Sequence, residues 1–392
     1  MGKKIVLENA DRCTGCGACI ASCPHGAIVK KPTGFGSWIP KINSELCVQC
    51  GLCERICHKG IVKQSGEKKA YIAYNKEQKM RILSASGGVF SALSAYVLER
   101  GGSVFGAEMR FEQGKAIVEH VKVTKIEDLP KILGSKYVQS DCISAYKQVK
   151  QDLQAKKTVL FSGCSCQVTG LKKYLGEVDQ TNLYTIDLIC HGVPGLEFFN
   201  DYIDFLEDKF DGQVVKLSFR TKESEKIVYE ISGELVERHK RLIKIKKFQI
   251  PIRTSGYYRM FMMEESYQKI CYKCPYASLD KPADITIGDY FEAKDDYPEL
   301  FRGDNAIDCN GGISCAITHN NQGEELLQKA IEYLYLKEVD PKVVQASHGN
   351  LHRPSKHSKA RAFLRISYLL FGYKAIEKFY GLRNRFADAV KK

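Results

Sequence analysis

The sequence predicts an α+β unit of about 70 residues built around metal clusters, then a mixed α/β body, then a basic amphipathic helix at the C-terminus. Three observations carry this. A four-cysteine run occurs twice near the N-terminus. Apolar runs of strand length in the middle of the chain end at cysteines. Over the last stretch, large apolar residues fall at mostly helical spacing between Lys and Arg.

The first run is Cys13-x2-Cys16-x2-Cys19-x3-Cys23-Pro24, and it recurs as Cys47-x2-Cys50-x2-Cys53-x3-Cys57, a constant step of 34 residues (47 − 13 and 57 − 23). Three thiolates at this pitch wrap one iron–sulfur cube, and the fourth cysteine ligates the cube held mainly by the other copy. One cluster is therefore expected on Cys13, Cys16, Cys19 and Cys57, the other on Cys47, Cys50, Cys53 and Cys23. Structural zinc competes poorly, because zinc sites pair two ligands from each of two knuckles. The second copy carries His58 where proline is usual, so its turn is expected to differ. Gly15, Gly17 and Gly51 let backbone amides approach sulfur. Ala18, Ile20, Ala27, Ile28, Val29, Leu52, Ile56, Ile61 and Val62 supply the apolar packing. The polar segment Lys63–Lys79 reads as a linker.

Ser84-Ala-Ser-Gly-Gly88 then leads into a predicted helix over Val89–Glu99, stopped by Gly101-Gly102, and a strand resumes at Ser103–Ala107. A glycine turn opening a helix presents free N–H groups at the positive end of its dipole, which suits a phosphate. Thr158–Phe161 and Leu183–Ile189 read as buried strands, with Cys164 and Cys166 after the first and Cys190 after the second. In open α/β sheets, ligands gather beyond the carboxyl ends of the strands. Cys271-x2-Cys274-Pro275 adds a compact pair, and Asp284–Asp289 follows as another strand. Spacing alone leaves a third iron–sulfur cluster and a zinc site equally open here.

Phe363, Ile366, Leu369, Leu370, Tyr373, Ile376, Phe379, Tyr380 and Phe386 mark the C-terminal helix, which either docks on an acidic partner or anionic membrane, or packs on the protein's own body. Residues 353–392 hold eleven Lys or Arg against Glu377 and Asp388, so +9 of the chain's net +13 lies there. The body thus lacks the basic, aromatic-interleaved stripe of a nucleic-acid binder, and no nucleic-acid partner is expected. Over the 392 residues the apolar share is 44%, enough for normal cores. No signal-peptide h-region and no myristoylation or membrane-spanning pattern is visible, so the 16 cysteines are expected in a reducing cytoplasm as metal ligands or redox groups.

At this point the residues resemble the beta subunits of coenzyme F420-reducing hydrogenases and related dehydrogenases. The matches are Ser86-Gly-Gly88, Gly134-Ser-Lys-Tyr-Val-Gln-Ser140, Phe161-Ser-Gly163, Cys166-Gln167, Asp187-Leu-Ile-Cys-His-Gly-Val-Pro194, Cys271-x2-Cys274 with Tyr276-Ala277, Asp284-x-Thr-Ile-Gly-Asp289 and Gly312-Ile-Ser314. The resemblance implies a bacterial-type two-cluster [4Fe-4S] ferredoxin domain at 1–70 and an FAD-binding α/β domain in two parts, 80–160 and 161–345, with a basic helical tail at 346–392. It further implies a distal [4Fe-4S] cluster on Cys166, Cys190, Cys271 and Cys274, and FAD against Ser86, Gly87, Gly88, Ser135, Lys136 and Tyr137. Three clusters and one FAD per chain follow. The chain departs at Gly163-Cys164-Ser165-Cys166, where the family usually has threonine and proline, so Cys164 is an extra thiol beside that cluster. Cys142, Cys309 and Cys315 read as structural, and His191 as a turn residue or a proton donor.

The expected function is an iron–sulfur flavoprotein oxidoreductase. It exchanges electrons with a redox partner protein or ferredoxin and delivers them through FAD to a two-electron small-molecule acceptor, coenzyme F420 or another. The competing reading is a non-catalytic electron-transfer subunit that wires a larger complex, for which the tail is the best support.

Overall fold

The computed structural model describes residues 11–57, 64, 66–223, 226–237, 244–304 and 306–390, with side chains up to 381 in the last helix. His58, Ile61, Val62 and Phe386 lie outside the described side chains.

The body is organised on an eight-stranded sheet. Its spatial order is Leu334–Val339, Lys69–Asn75, Ser314–Thr318, Ile285–Asp289, Leu183–Leu188, Val159–Gly163, Ser103–Glu112, Lys115–Val123. The four strands from Ile285–Asp289 to Ser103–Glu112 run parallel, and the remaining pairs are antiparallel. Buried on both faces, the parallel strands need apolar residues on both sides of the pleat. Val159 and Phe161 pack under Tyr146, Val149, Val168 and Leu171 on one face. Leu160 packs with Leu93 and Val97 on the other. The parts 80–160 and 161–345 share this one sheet, and the Val159–Gly163 strand crosses the boundary between them.

One segment corrects the sequence reading. Lys63–Lys79 is no linker: Lys69–Asn75 is an interior strand paired on both sides. Ala70, Ile72 and Ala73 are fully buried there, and the flanking charges hide an apolar stretch of ordinary strand length.

A second core, rich in aromatics, lies under a three-stranded antiparallel sheet of Gly212–Ser218, Glu230–Glu237 and Ile245–Pro251. Leu196–Phe210, Gly256–Met262 and the C-terminal segment close it. Tyr202 and Tyr257 stack at 5.1 Å between ring centres. The C-terminal segment forms two helices, Ala360–Phe371 and Tyr373–Val390, broken at Gly372 with φ 69°. The predicted single face is split by that break. Leu364, Tyr373, Ile376 and Tyr380 are buried in the body, while Phe363, Ile366, Leu369 and Leu370 face solvent.

The N-terminal unit is an antiparallel hairpin, Ile28–Pro32 with Trp38–Ile42, and two short helices, Ala18–Ser22 and Leu52–Ile56. Its hairpin turn plugs Phe35 into the aromatic core, against Phe198 at 5.3 Å and Tyr368 at 5.7 Å. The approach is close: a Cβ on Gly195 would stand 1.9 Å from the Gly36 carbonyl carbon, so only glycine fits there.

Candidate functional site

Both cysteine runs fold alike. Gly17 and Gly51 adopt left-handed φ of 82° and 71° and start a one-turn helix that carries the third cysteine, Cys19 or Cys53, inward. The fourth cysteine, Cys23 or Cys57, ends the helix in extended geometry and leaves for the other copy. Burial pushes the Cys13 thiol up to about 12, with Cys16 and Cys57 adding like-group repulsion. Cys19 is raised by burial and then by Cys16, Cys13 and Cys57, so Cys57 faces the first run. Cys53 feels Cys23 in the same way, behind burial as the main cause. A cavity with about 350 Å³ of non-atom space, counting solvent at its mouth, is lined by Cys23, Cys47, Cys50 and Cys53 with Ile28, Ile42 and Leu52. Crowded thiols in apolar surroundings ionise only beside a positive centre, and cluster iron is one, so this donor set fits the group. Gly15 donates its N–H towards Cys13 Sγ at 3.4 Å. It also lets the body approach, since a Cβ there would lie 2.3 Å from Gln139 Nε2.

The parallel strands deliver the next set. Cys164 ends Val159–Gly163 and caps the Ser165–Leu175 helix, whose Gln167 side chain accepts from the Cys164 N–H at 2.9 Å. That gives the Cys-Gln pair a structural role. Cys190 follows Leu183–Leu188, and its sulfur lies 3.8 Å from Cys164 Sγ. Cys271 and Cys274 come from the 3-10 turn Lys269–Lys273 and the residue after it. Burial raises Cys166, then Cys190, Cys274, Cys271 and Cys16 add to it. Cys271 is pushed to about 12 by burial, with Cys190 next. Burial also raises Cys274, opposed by the Tyr276 N–H. Cys190 alone is drawn down, to about 7, by its hydrogen bond with Cys164 against burial, helped by the Gly192 N–H and the Lys281 cation. The site therefore gathers five cysteines, the expected four plus Cys164. Among the described residues no three His, Cys, Asp or Glu side chains close around a single-ion point. Ligands to a cube stand at its corners, further apart than ligands to one ion.

Two features of this site escape the sequence. Lys281 is 2% exposed and lies where it acts on Cys190, Cys274 and Asp187. Cys16, from the first run, packs against the same helix as Cys166: a Cβ on Gly170 would sit 3.0 Å from Cys16 Sγ. Gly170 is one turn along from Cys166 on the same helix face. The two cysteine sets are thus neighbours.

Beyond the strand ends lies the third group. Gly87 donates to Ser314 Oγ at 3.0 Å, and Ser86 Oγ donates to the Ile313 carbonyl at 2.7 Å. Gly88, at φ 83°, opens the Val89–Glu99 helix with no side-chain cap, leaving its first amides free of one. Arg220 joins this turn to Tyr137. It donates to the Ala85 carbonyl at 3.4 Å, pairs with Asp289 at 2.8 Å and lies 5.7 Å from the Tyr137 ring centre. Its Nε is buried without a hydrogen-bond partner. Lys222 donates to the Ser86 and Gly311 carbonyls, and burial lowers its pKa to about 7. An orphaned cationic donor beside a glycine turn fits an anionic dinucleotide such as FAD. Ser135 is half-buried on the same loop as Tyr137. Lys136 donates to the Leu133 carbonyl at 2.6 Å, with its pKa lowered to about 7 by burial. His191 is exposed, and its carbonyl accepts from Ser355.

Cys142 is buried beside His120 Nδ1 at 3.2 Å, Cys315 contacts His348, and Cys309 donates to the Ile307 carbonyl. Asp284 also belongs to the scaffold, accepting from Thr185 N and Oγ1 and from Asn320.

Comparison with known proteins follows the same division. Residues 12–61 match the 4Fe-4S dicluster domain, and residues 156–343 match the family described as the C terminus of the beta subunit of coenzyme F420 hydrogenase/dehydrogenase. No curated protein matches the chain. Among solved structures, a chain of the F420-reducing [NiFe] hydrogenase complex from Methanosarcina barkeri is similar at 16% identity and a TM-score of 0.44, covering 76% of this chain and 97% of that one. The chain is an iron–sulfur electron-transfer protein related to the coenzyme F420 hydrogenase/dehydrogenase beta subunit, with a 4Fe-4S dicluster domain ahead of the region that matches that subunit's C terminus.

Proposed function

We propose that the chain is a flavoprotein oxidoreductase carrying electrons between ferredoxin-type clusters and a two-electron small-molecule acceptor. In this reading Cys13, Cys16, Cys19 and Cys57 hold one [4Fe-4S] cluster and Cys47, Cys50, Cys53 and Cys23 a second. Cys166, Cys190, Cys271 and Cys274 hold the third. The observation that supports it best is the contact of Cys16 with the helix of Cys166 at Gly170, which gives an electron a short path from the N-terminal unit into the body.

Ser86, Gly87, Gly88, Ser135, Lys136 and Tyr137, with Arg220 added, bind FAD in this scheme. FAD, when bound, exchanges single electrons on one side and electron pairs on the other. The chain's own contributions are positional and electrostatic. Arg220 offers its unpartnered Nε to negative charge, and Asp289 holds the guanidinium in place. The acceptor is coenzyme F420 or another small two-electron acceptor, the donor a ferredoxin or a redox partner protein, and the compartment the reducing cytoplasm. The ferredoxin-type domain expected at 1–70 stops, in this reading, before the Lys69–Asn75 strand, which belongs to the flavin body.

Anaerobically purified holoprotein tests this by its iron, sulfide and flavin content, followed by turnover with ferredoxin and candidate acceptors. Twelve irons, one FAD and acceptor turnover are expected from the twelve proposed ligands. Saturation at about eight irons would overturn the distal cluster. Bound flavin without turnover of any small acceptor would favour a wiring subunit.

A further inference from the structure

The Ala360–Phe371 helix carries an outer face that the fold leaves uncovered. Phe363, Ile366, Leu369, Leu370 and Phe371 are 56%, 57%, 61%, 68% and 73% exposed. Contiguous apolar exposure on this scale marks an interaction site. The inner face is pinned, so the helix cannot roll to hide it. Leu364 is fully buried, Arg361 donates to the Tyr267 carbonyl at 2.8 Å and to Tyr272 Oη at 3.0 Å, and Tyr368 donates to Asp201.

Cations flank the ridge along the chain. Arg353, Lys356, Lys359, Lys374 and Lys378 are exposed, and among the described residues only Lys374 of these is ion-paired, with Asp208 at 3.3 Å. Glu377, the one acidic residue on the described part of the tail, is turned inward and accepts from Gly256 N and Tyr373 Oη. Two copies meeting here would oppose two segments of +9 each. A pinned helix with projecting Phe and Leu and a basic margin matches a surface that is itself apolar below and negative above. No helix among the described residues is long and apolar enough to cross a bilayer, so the contact is interfacial.

We propose that this helix docks the protein on an anionic lipid bilayer, with Phe363, Ile366, Leu369, Leu370 and Phe371 inserted at the headgroup boundary and Lys356, Lys359 and Lys378 against the headgroups. The docking stands independently of which acceptor the protein serves.

The test is flotation of the full-length holoprotein with phosphatidylcholine vesicles and with vesicles also containing phosphatidylglycerol. Binding to the anionic vesicles, weakened by salt, is expected. A Leu369→Ser/Leu370→Ser/Phe371→Ser variant should lose roughly tenfold or more in vesicle affinity, and Lys356→Glu/Lys359→Glu should lose binding only on anionic vesicles. All five positions are exposed, so the fold should persist, as unchanged cluster spectra would show. Failure to float with anionic vesicles overturns the proposal, as does a triple-serine variant that binds like the parent. Equal binding to both vesicle types overturns the anionic assignment. A dimer in light scattering that the triple variant dissolves, without vesicle binding, would make a second copy the occupant and overturn it too.

Discussion

Gly170→Ala adds one methyl group at the junction of the two cysteine sets. Inside the Ser165–Leu175 helix, alanine gains about 1 kcal/mol over glycine from backbone entropy. The new Cβ, however, would stand 2.8 Å from Tyr146 Oη and 3.0 Å from both Cβ and Sγ of Cys16. Overpacking of this kind costs about 1–3 kcal/mol. Displacing Tyr146 also weakens its 2.8 Å hydrogen bond to the Gln167 carbonyl, about 1 kcal/mol more. The steric loss wins, leaving a net destabilisation of about 1–3 kcal/mol. Urea unfolding of the anaerobic holoprotein, followed by cluster absorbance, reads this as a lower midpoint at unchanged slope. Gly381→Ala is the control: nothing lies within 4 Å of its Cβ, and the same substitution should stabilise. If Gly170→Ala proves as stable as the control, Cys16 does not pack against the helix of Cys166, and the proposed electron entry is wrong.

Three further outcomes are expected. Cys190→Ala should leave reduction of the N-terminal clusters by ferredoxin intact while slowing flavin reduction, with a two-electron donor acting at FAD affected far less; equal flavin rates in rapid mixing would refute the relay. Lys281→Met removes a buried cation beside Cys190 and Cys274, so the distal cluster, more negative when reduced, should fall in potential. A cation at about 4 Å in a partly solvated site contributes at most about 4 kcal/mol, or about 170 mV for one electron, and a titration followed by electron paramagnetic resonance that finds no fall would exclude it. Lys136, lowered to about 7 by burial, binds fewer protons folded than unfolded between that value and its ordinary 10.5, so it adds stability as pH rises through this window. If it serves an anionic ligand, protonation must accompany binding, and FAD affinity should weaken from about pH 6 to pH 9 in the parent but stay flat in Lys136→Met.

Much of the site was legible because its chemistry is local. Cysteine spacing names the two N-terminal sets, and apolar runs ending at Cys164 and Cys190 put thiols at a sheet rim. What escaped is set by tertiary approach. Arg220 is one arginine among many in sequence, and only folding puts its unpartnered Nε beside Tyr137. Lys281 reads as a surface lysine, and the contact between Cys16 and Gly170 spans 154 residues (170 − 16). Lys69–Asn75 was lost because charged neighbours outweighed Ala70–Ala73, while its burial comes from strands 240 or more residues downstream. In the tail the helical period was readable, but the Gly372 break rotates the second helix so that the two halves present different faces.

The Phe35 plug sets an order of assembly. Its pocket is walled by Phe198 and by Tyr368 and Arg361 from the C-terminal helices. On the ribosome the cysteine runs emerge first, and the last wall of their socket emerges more than 300 residues later. Until then the small unit hangs on an unfinished seat, with Gly15, Gly17 and Cys16 uncovered by Gln139, Ile143 and Gly170. Iron and sulfide thus have their widest access during synthesis, and seating Phe35 afterwards closes the side of the first cysteine set that faces the body.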